Sequence, residues 1–230
     1  MHAQRIKYRN LLFAVAVSIP LSAAFLSARA DDKAEAKAVI YDVDADAGRV
    51  YVKVGTATRF GHEHGVQGNF KSGTVTLGGD GDLVFDMASF TADTAAARER
   101  VGLEKKKVSE NEAKKVTEAM RGADVLDVEQ HPTATFRIGS VTPLDKQAAG
   151  EPGMYQVDGR FTLHGAEQKV AFKVKVERGD KEGRIKMTGT FSIKQSDYGI
   201  KPYSAAGGLA KVADELEITG DLVLKPKAGK

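Results

Sequence analysis

Two histidines separated by one residue, His62 and His64, are the densest chemical feature of the chain. In an extended segment, side chains two apart share a face. Phe60, Val66 and Phe70 have the same parity, so without a bulge both imidazoles face an apolar interior and Glu63 faces away. Three roles are open to such a pair. Neutral imidazoles can ligate zinc or copper, contact the polar headgroup of a ligand, or serve as a hydrogen-bonded structural pair. A metal needs three or four ligands, and a His-x-His pair supplies two. His131 and His164 are far away in sequence, and spacing alone does not place them nearby. Gly61 and Gly65 flank the pair, and a bulge there would reverse the facing. On these residues neither a metal nor a cofactor is assigned.

The remaining inventory excludes more chemistry than it offers. Without cysteine there are no disulfides, thiolate metal sites or Cys nucleophiles. The chain has no G-x-S-x-G, no H-E-x-x-H and no phosphate-cradling glycine loop. Asp197, in Ser196-Asp197-Tyr198-Gly199, reads as a turn-capping residue rather than a general base. The chain therefore reads as a binding protein, not an enzyme.

Residues 1–30 read as a cleaved export signal, the alternative being an uncleaved membrane anchor, which the short apolar run and Pro20 disfavour. Arg5, Lys7 and Arg9 form a positive start, Leu11 to Leu26 an apolar run, and Ala28-Arg29-Ala30 a small-x-small cleavage pattern. This places the protein in the periplasm or outside the cell, with no stable membrane span once the signal is removed. The full chain has 34 Lys+Arg against 31 Asp+Glu. Four of the basic residues and none of the acids lie in residues 1–30, so the remainder carries a formal charge of −1. No basic stripe tracks phosphates, which argues against nucleic acid as a partner. Residues 31–230 fit one domain with a substantial core.

The elements that must position any site are strands. Tyr155, Val157, Gly159, Phe161 and Leu163 form one alternating stripe. Ile185, Met187, Gly189, Phe191 and Ile193 form a second, and Leu216, Ile218, Gly220, Leu222 and Leu224 a third. Charged and polar residues occupy the opposite faces, so each strand has a wet side and an apolar side. A mid-strand glycine marks a sharp bend, a barrel corner or room for a close neighbour. Three at equivalent positions predict a strongly coiled sheet around an interior that is either filled or hollow. Further strands are expected at Val39–Val43, Val50–Val54, His64–Leu77, Leu83–Phe90, from Thr133, and over Val170–Val176. Gly78-Gly79-Asp80-Gly81 and His164-Gly165 read as turns. A helical insertion interrupts the pattern over about 91–130. Ser109 and Glu112 form a capping box before a helix at Glu110–Arg121 that stops at Gly122, and Ala95–Arg100 is a second helical piece. Val116 and Met120 share a stripe, but charge dominates, so the insertion is expected over the outside or one end of the sheet. The fold class is all-β and antiparallel, with about eight strands; a closed barrel, which leaves no exposed edge, is favoured modestly over a sandwich.

Four blocks carry a family resemblance. Asp124-Val125-Leu126-Asp127 with His131-Pro132 and Phe136 resembles a D-F/L-F/L-D-x-x-x-Y/H-P-x-x-x-F signature. Tyr155 to Gly165, ending Leu163-His164-Gly165, resembles a G-x-L-x-I/L-H-G strand and turn. Ser196-Asp197-Tyr198-Gly199-Ile200 resembles R-x-D-F/Y-G-I/L, and Val212 to Ile218 is similar to a closing-strand start. In this order they resemble the YceI-like family of bacterial exported proteins, from about Val39 to Leu224. The run Gly61-His62-Glu63-His64-Gly65 departs from the commoner family pattern. The resemblance implies a lipocalin-like barrel that holds the tail of a polyisoprenoid or other lipid-like ligand. Together with the stripes it points to Phe70, Phe136, Phe161, Leu163, Phe172, Met187 and Phe191 as ligand-binding residues, with His62 and His64 beside them. A metal-binding protein built on the two histidines, and a non-catalytic scaffold with a filled barrel, are the alternatives.

Overall fold

Alternation predicts one buried face per strand, and the computed structural model, which describes residues 39–146, 151–179 and 183–227, closes those faces around a single interior. The strands are β1 (Ile40–Val43), β2 (Arg49–Thr56), β3 (His64–Thr76) and β4 (Gly81–Ala92). Two helices follow, α1 (Ala95–Arg100) and α2 (Glu110–Arg121). Then come β5 (Thr133–Pro143), β6 (Gly153–Leu163), β7 (Ala166–Arg178), β8 (Ile185–Lys194), the two-residue β9 (Ser204–Ala205) and β10 (Ala210–Pro226). The export signal expected over residues 1–30 lies outside the described residues. No helix among the described residues is long and apolar enough to cross a membrane.

β2 to β8 pair in sequence order, and β10 joins β8 to β2 to close an antiparallel barrel of eight strands. β1 sits at one end, paired with both β10 and β3. The three alternating stripes face inward: Tyr155, Val157, Phe161, Leu163, Ile185, Met187, Ile193, Ile218, Leu222 and Leu224 are all buried. The His164-Gly165 turn joins β6 to β7 with φ of 50° and 79°, the two positive values a tight type I′ hairpin requires.

The three mid-strand glycines are not equivalent. A Cβ on Gly159 would stand 2.5 Å from the Arg137 carbonyl oxygen and 2.6 Å from the Phe136 ring. One on Gly189 would meet Val174 at 2.6 Å and the Phe172 ring at 2.9 Å. Both glycines therefore make room for a neighbouring side chain. Gly220, paired directly with Gly189, would meet only a terminal carbon of Leu222 at 3.2 Å. Gly159→Ala is expected to cost about 1–3 kcal/mol of stability because fixed backbone blocks relief, whereas Gly220→Ala should cost less. Urea denaturation of the two variants measures the contrast.

One seam is short. β7 and β8 pair only from Val174↔Gly189 to Arg178↔Ile185. Beyond that the strands part, and the rings of Phe172 and Phe191 stack in the gap at 4.7 Å. Gln168 Nε2 donates to the Asp197 carbonyl at 2.9 Å across the top of the gap.

The insertion completes the barrel where β4 outruns β5. Their pairing stops at Asp86↔Thr133, and α2 packs along the rest of β4. Thr117 Oγ1 accepts the Ala92 N–H at 2.9 Å, and Arg121 Nε donates to the Phe90 carbonyl at 2.8 Å. Ser109 caps α2 by accepting from Glu112 N. α1 lies against β2 and β3. Arg100 pins it to Asp221 of β10 through two hydrogen bonds of 2.7 and 2.9 Å.

Candidate functional site

The inward stripes leave a cavity of about 250 Å³ at the helical end of the barrel. Its walls are apolar side chains of seven barrel strands. Val50, Val52 and Val54 come from β2, and Phe85, Met87 and Phe90 from β4. Phe161 and Leu163 come from β6, Phe191 and Ile193 from β8, and Leu216 and Ile218 from β10. Val66 of β3 and Ala134 of β5 complete the ring. α2 forms the roof with Val116, Ala119 and Met120, continued by Val125 and Leu126. A smaller chamber of about 50 Å³ lies deeper, lined in part by Phe70, Phe136, Phe172 and Met187. Phe85 and Phe191 border both chambers, so a chain longer than the upper one must pass between these rings.

Polar groups reach the cavity only at its helical end: His64, Lys115, Gln195 and Tyr203. Gln195 is already committed, donating Nε2 to the Ala213 carbonyl at 2.7 Å. Lys115 is exposed at the rim.

His64 is the most constrained of the four. Its Nδ1 lies 2.6 Å from Asp93 Oδ2. A carboxylate only accepts, so Nδ1 carries the proton and donates. Asp93 Oδ1 takes Arg98 Nη1 at 2.7 Å and the Gly65 N–H at 3.2 Å. Arg98 in turn donates to the carbonyls of Lys106 and Leu103. The Asp93 side chain is fully buried and Arg98 nearly so. Burial alone would push the Asp93 carboxyl up, but hydrogen bonds from His64 and Arg98 outweigh it and hold the carboxyl below its usual range. Gly65 is glycine because α1 crosses it: a Cβ there would stand 3.0 Å from the Ala97 backbone. The Gly61–Gly65 run thus positions one imidazole in the cavity wall and lets a helix brace it.

The shared face expected for the two histidines holds only for His64. β3 begins at His64, so strand parity does not extend back to His62 or to Phe60, which is 70% exposed. His62 lies outside the cavity lining, with its Nε2 3.2 Å from Glu112 Oε1 but without the alignment of a hydrogen bond. The imidazoles of His62 and His64 are 4.4 Å apart between centroids. No group of three or more His, Cys, Asp or Glu able to hold a metal ion occurs among the described residues. His131 and His164 form a second ring pair at the same centroid distance, at the β6–β7 turn.

Of the other residues singled out, Phe161, Leu163 and Phe191 line the main cavity, and Phe70, Phe136, Phe172, Met187 and again Phe191 line the deeper chamber. The roof residues Ala119, Val125 and Leu126 were not legible as lining, because α2 reads as a charged surface helix. The Asp93–Arg98 brace was equally hidden: Asp93 adopts a φ of 55° just past the end of β4, and no local pattern announces that. Tyr198, packed edge-on against Phe161 at 5.7 Å, has a buried hydroxyl with no hydrogen-bond partner among the described residues. Burial, with a contribution from Asp197, pushes its pKa up to about 12.

Solved structures share this architecture. A polyisoprenoid binding domain from Saccharophagus degradans matches at 17% identity with a TM-score of 0.58, covering 82% of this chain and 99% of that one. BcnA of Burkholderia cenocepacia matches at 21% identity with a TM-score of 0.52, covering 79% and 98%. No curated protein sequence matches the chain. The YceI-like domain model matches residues 41–224, from β1 to near the end of β10. A barrel closed by its final strand, with its helical insertion roofing the interior, thus belongs to the YceI-like domain family.

Proposed function

We propose that this protein binds a long apolar-tailed molecule, of the polyisoprenoid or similar lipid class, and sequesters or carries it in the exported compartment. The observation that carries the reading is the cavity: a deep interior space with apolar walls and polar groups only at the helical end. Such walls offer nothing to a polar substrate, while each buried methylene of a tail contributes about 0.8 kcal/mol before ordering costs. The polyisoprenoid-binding description of the S. degradans domain, which shares the fold, supports the ligand class. The signal-like residues 1–30 support export. The hollow interior speaks against a merely filled scaffold. Among the described residues no group of three or more His, Cys, Asp or Glu able to hold a metal ion forms around His62 and His64, so the metal reading has no support in the site's geometry.

In this reading the tail lies along the barrel axis past Phe161, Leu163 and Phe191 toward Phe70, Phe136, Phe172 and Met187. The headgroup lies near His64 Nε2 and Lys115, with His62 outside the contact. Native mass spectrometry of the protein purified from its export compartment, followed by organic extraction, tests this. A co-purifying species with a long hydrocarbon tail is the expected result. A clean apo mass with no uptake of added polyprenol would overturn it.

A further inference from the structure

We propose that the helical end of the barrel docks on the surface of an anionic lipid bilayer. This deepens the carrier reading, since a tail moving between bilayer and cavity then need not cross water. Three of the large apolar residues exposed among the described residues cluster at this end: Phe60 at 70%, Leu209 at 61% and Tyr203 at 45%. They sit on the two connections, 57–63 and 195–209, that run beside the cavity opening. The connections are fastened together. Thr58 Oγ1 donates to the Leu209 carbonyl at 2.7 Å, and Ala57 N to the Lys211 carbonyl at 2.8 Å. Val212 N donates to the Tyr203 carbonyl at 3.1 Å, and both Tyr203 and Val212 line the cavity.

The form of the patch suits a bilayer better than a folded partner. Its apolar side chains stand on loop tips rather than in a groove, and exposed cations flank them: Arg59 beside Phe60, Lys201 before Tyr203, and Lys211 after Leu209. Lys115 on α2 and the run Lys105–Lys107 add further positive charge at the same end, whereas Lys114 is paired with Glu118 at 4.0 Å. The nearby acids are partly engaged. Glu63 lies 3.8 Å from Lys53, Glu112 lies beside His62, and Asp214 accepts the Ser196 N–H and hydroxyl. Asp197, Glu215, and Glu104 and Glu110 on either side of the Lys105–Lys107 run are exposed and subtract from the field. Apolar anchors ringed by Lys and Arg match the interface of a membrane with anionic headgroups. There the anchors enter the acyl boundary while the cations remain among the headgroups.

Phe60 and Leu209 do not line the cavity, so docking separates cleanly from ligand binding. The test is co-sedimentation with vesicles of phosphatidylethanolamine mixed with phosphatidylglycerol, compared with phosphatidylcholine vesicles, at low and physiological salt. The wild-type protein is expected to pellet with the anionic vesicles and to be released as salt rises. Phe60→Ser/Leu209→Ser is expected to lower partitioning by at least about tenfold, and Arg59→Glu/Lys211→Glu by a similar factor. In both variants polyprenol uptake from detergent, read by native mass spectrometry, should match wild type. Wild type that stays in the supernatant, or variants that partition like wild type, would overturn docking whether or not polyprenol is taken up. Self-association abolished by the Phe60→Ser/Leu209→Ser change, with no vesicle binding, would instead assign the patch to a second copy of the chain. Loss of polyprenol uptake in wild type with vesicle binding intact would remove the carrier reading and leave docking standing.

Discussion

Replacing Ala119 by tryptophan is expected to weaken binding of a polyprenol by roughly a hundredfold while leaving the barrel folded. Ala119 lies on α2, in the roof of the cavity and away from the strand pairing. An indole there projects into a space of only about 250 Å³. Excluding three or four methylenes at about 0.8 kcal/mol each removes about 3 kcal/mol, roughly a hundredfold in Kd. The helix tolerates the change because Ala119 is half-buried and faces empty volume rather than packed neighbours. The chain contains no other tryptophan, so the emission of the new indole also reports whether it sits in an apolar site. Titration with farnesol by calorimetry, against Ala119→Ser as the conservative control, gives the comparison. An unchanged affinity in the tryptophan variant would place the ligand outside the roofed cavity.

Asp93→Ala is expected to destabilise the fold by about 3–5 kcal/mol, because it strands a nearly buried guanidinium. Arg98 would keep its carbonyl partners but lose its counter-charge, His64 would lose the acceptor that fixes its tautomer, and Gly65 its side-chain acceptor. Alanine is also less suited than aspartate to a φ of 55°. Asp93→Asn keeps the shape and the tolerance of that backbone, and is expected to cost less. A carboxyl held below its unfolded-state value contributes stability above about pH 4, and that contribution fades as pH falls through the lower folded value. Wild-type stability should therefore decline steeply below about pH 4, with this component absent from Asp93→Asn. Urea denaturation across pH 2–7 measures both effects. Equal acid slopes in the two proteins would show that the brace contributes little.

Alternation along single strands was enough to read the inner face of the barrel. Every apolar residue of the β6 stripe is buried, because period-two patterning reports directly which side is dry. Local turn chemistry was equally legible: His164-Gly165 and the Ser109 cap lie where their residue types demand. What failed was an inference carried across a boundary. The parity of His62 depended on a strand that starts two residues later. What stayed hidden was long-range. Nothing in a heptad of α2 says that Ala119 roofs a cavity, since that depends on β4 outrunning β5. Nor does any spacing reveal that His131 meets His164, or that Asp93 binds residues before and after it in the chain.

A closed ring gives where its ladder is short, and the half-zipped border between β7 and β8 is one such place. Five residue pairs hold it, against ten between β8 and β10. Amides aimed into that gap have no strand across from them, so they are the natural starting point for sub-global breathing. Past the last of these pairs the wall is closed by two stacked aromatic rings, Phe172 on Phe191, rather than by a continuous ladder of hydrogen bonds. A container built this way is expected to adjust its circumference without unravelling, much as a sleeve with a slit yields where a seamless tube would not.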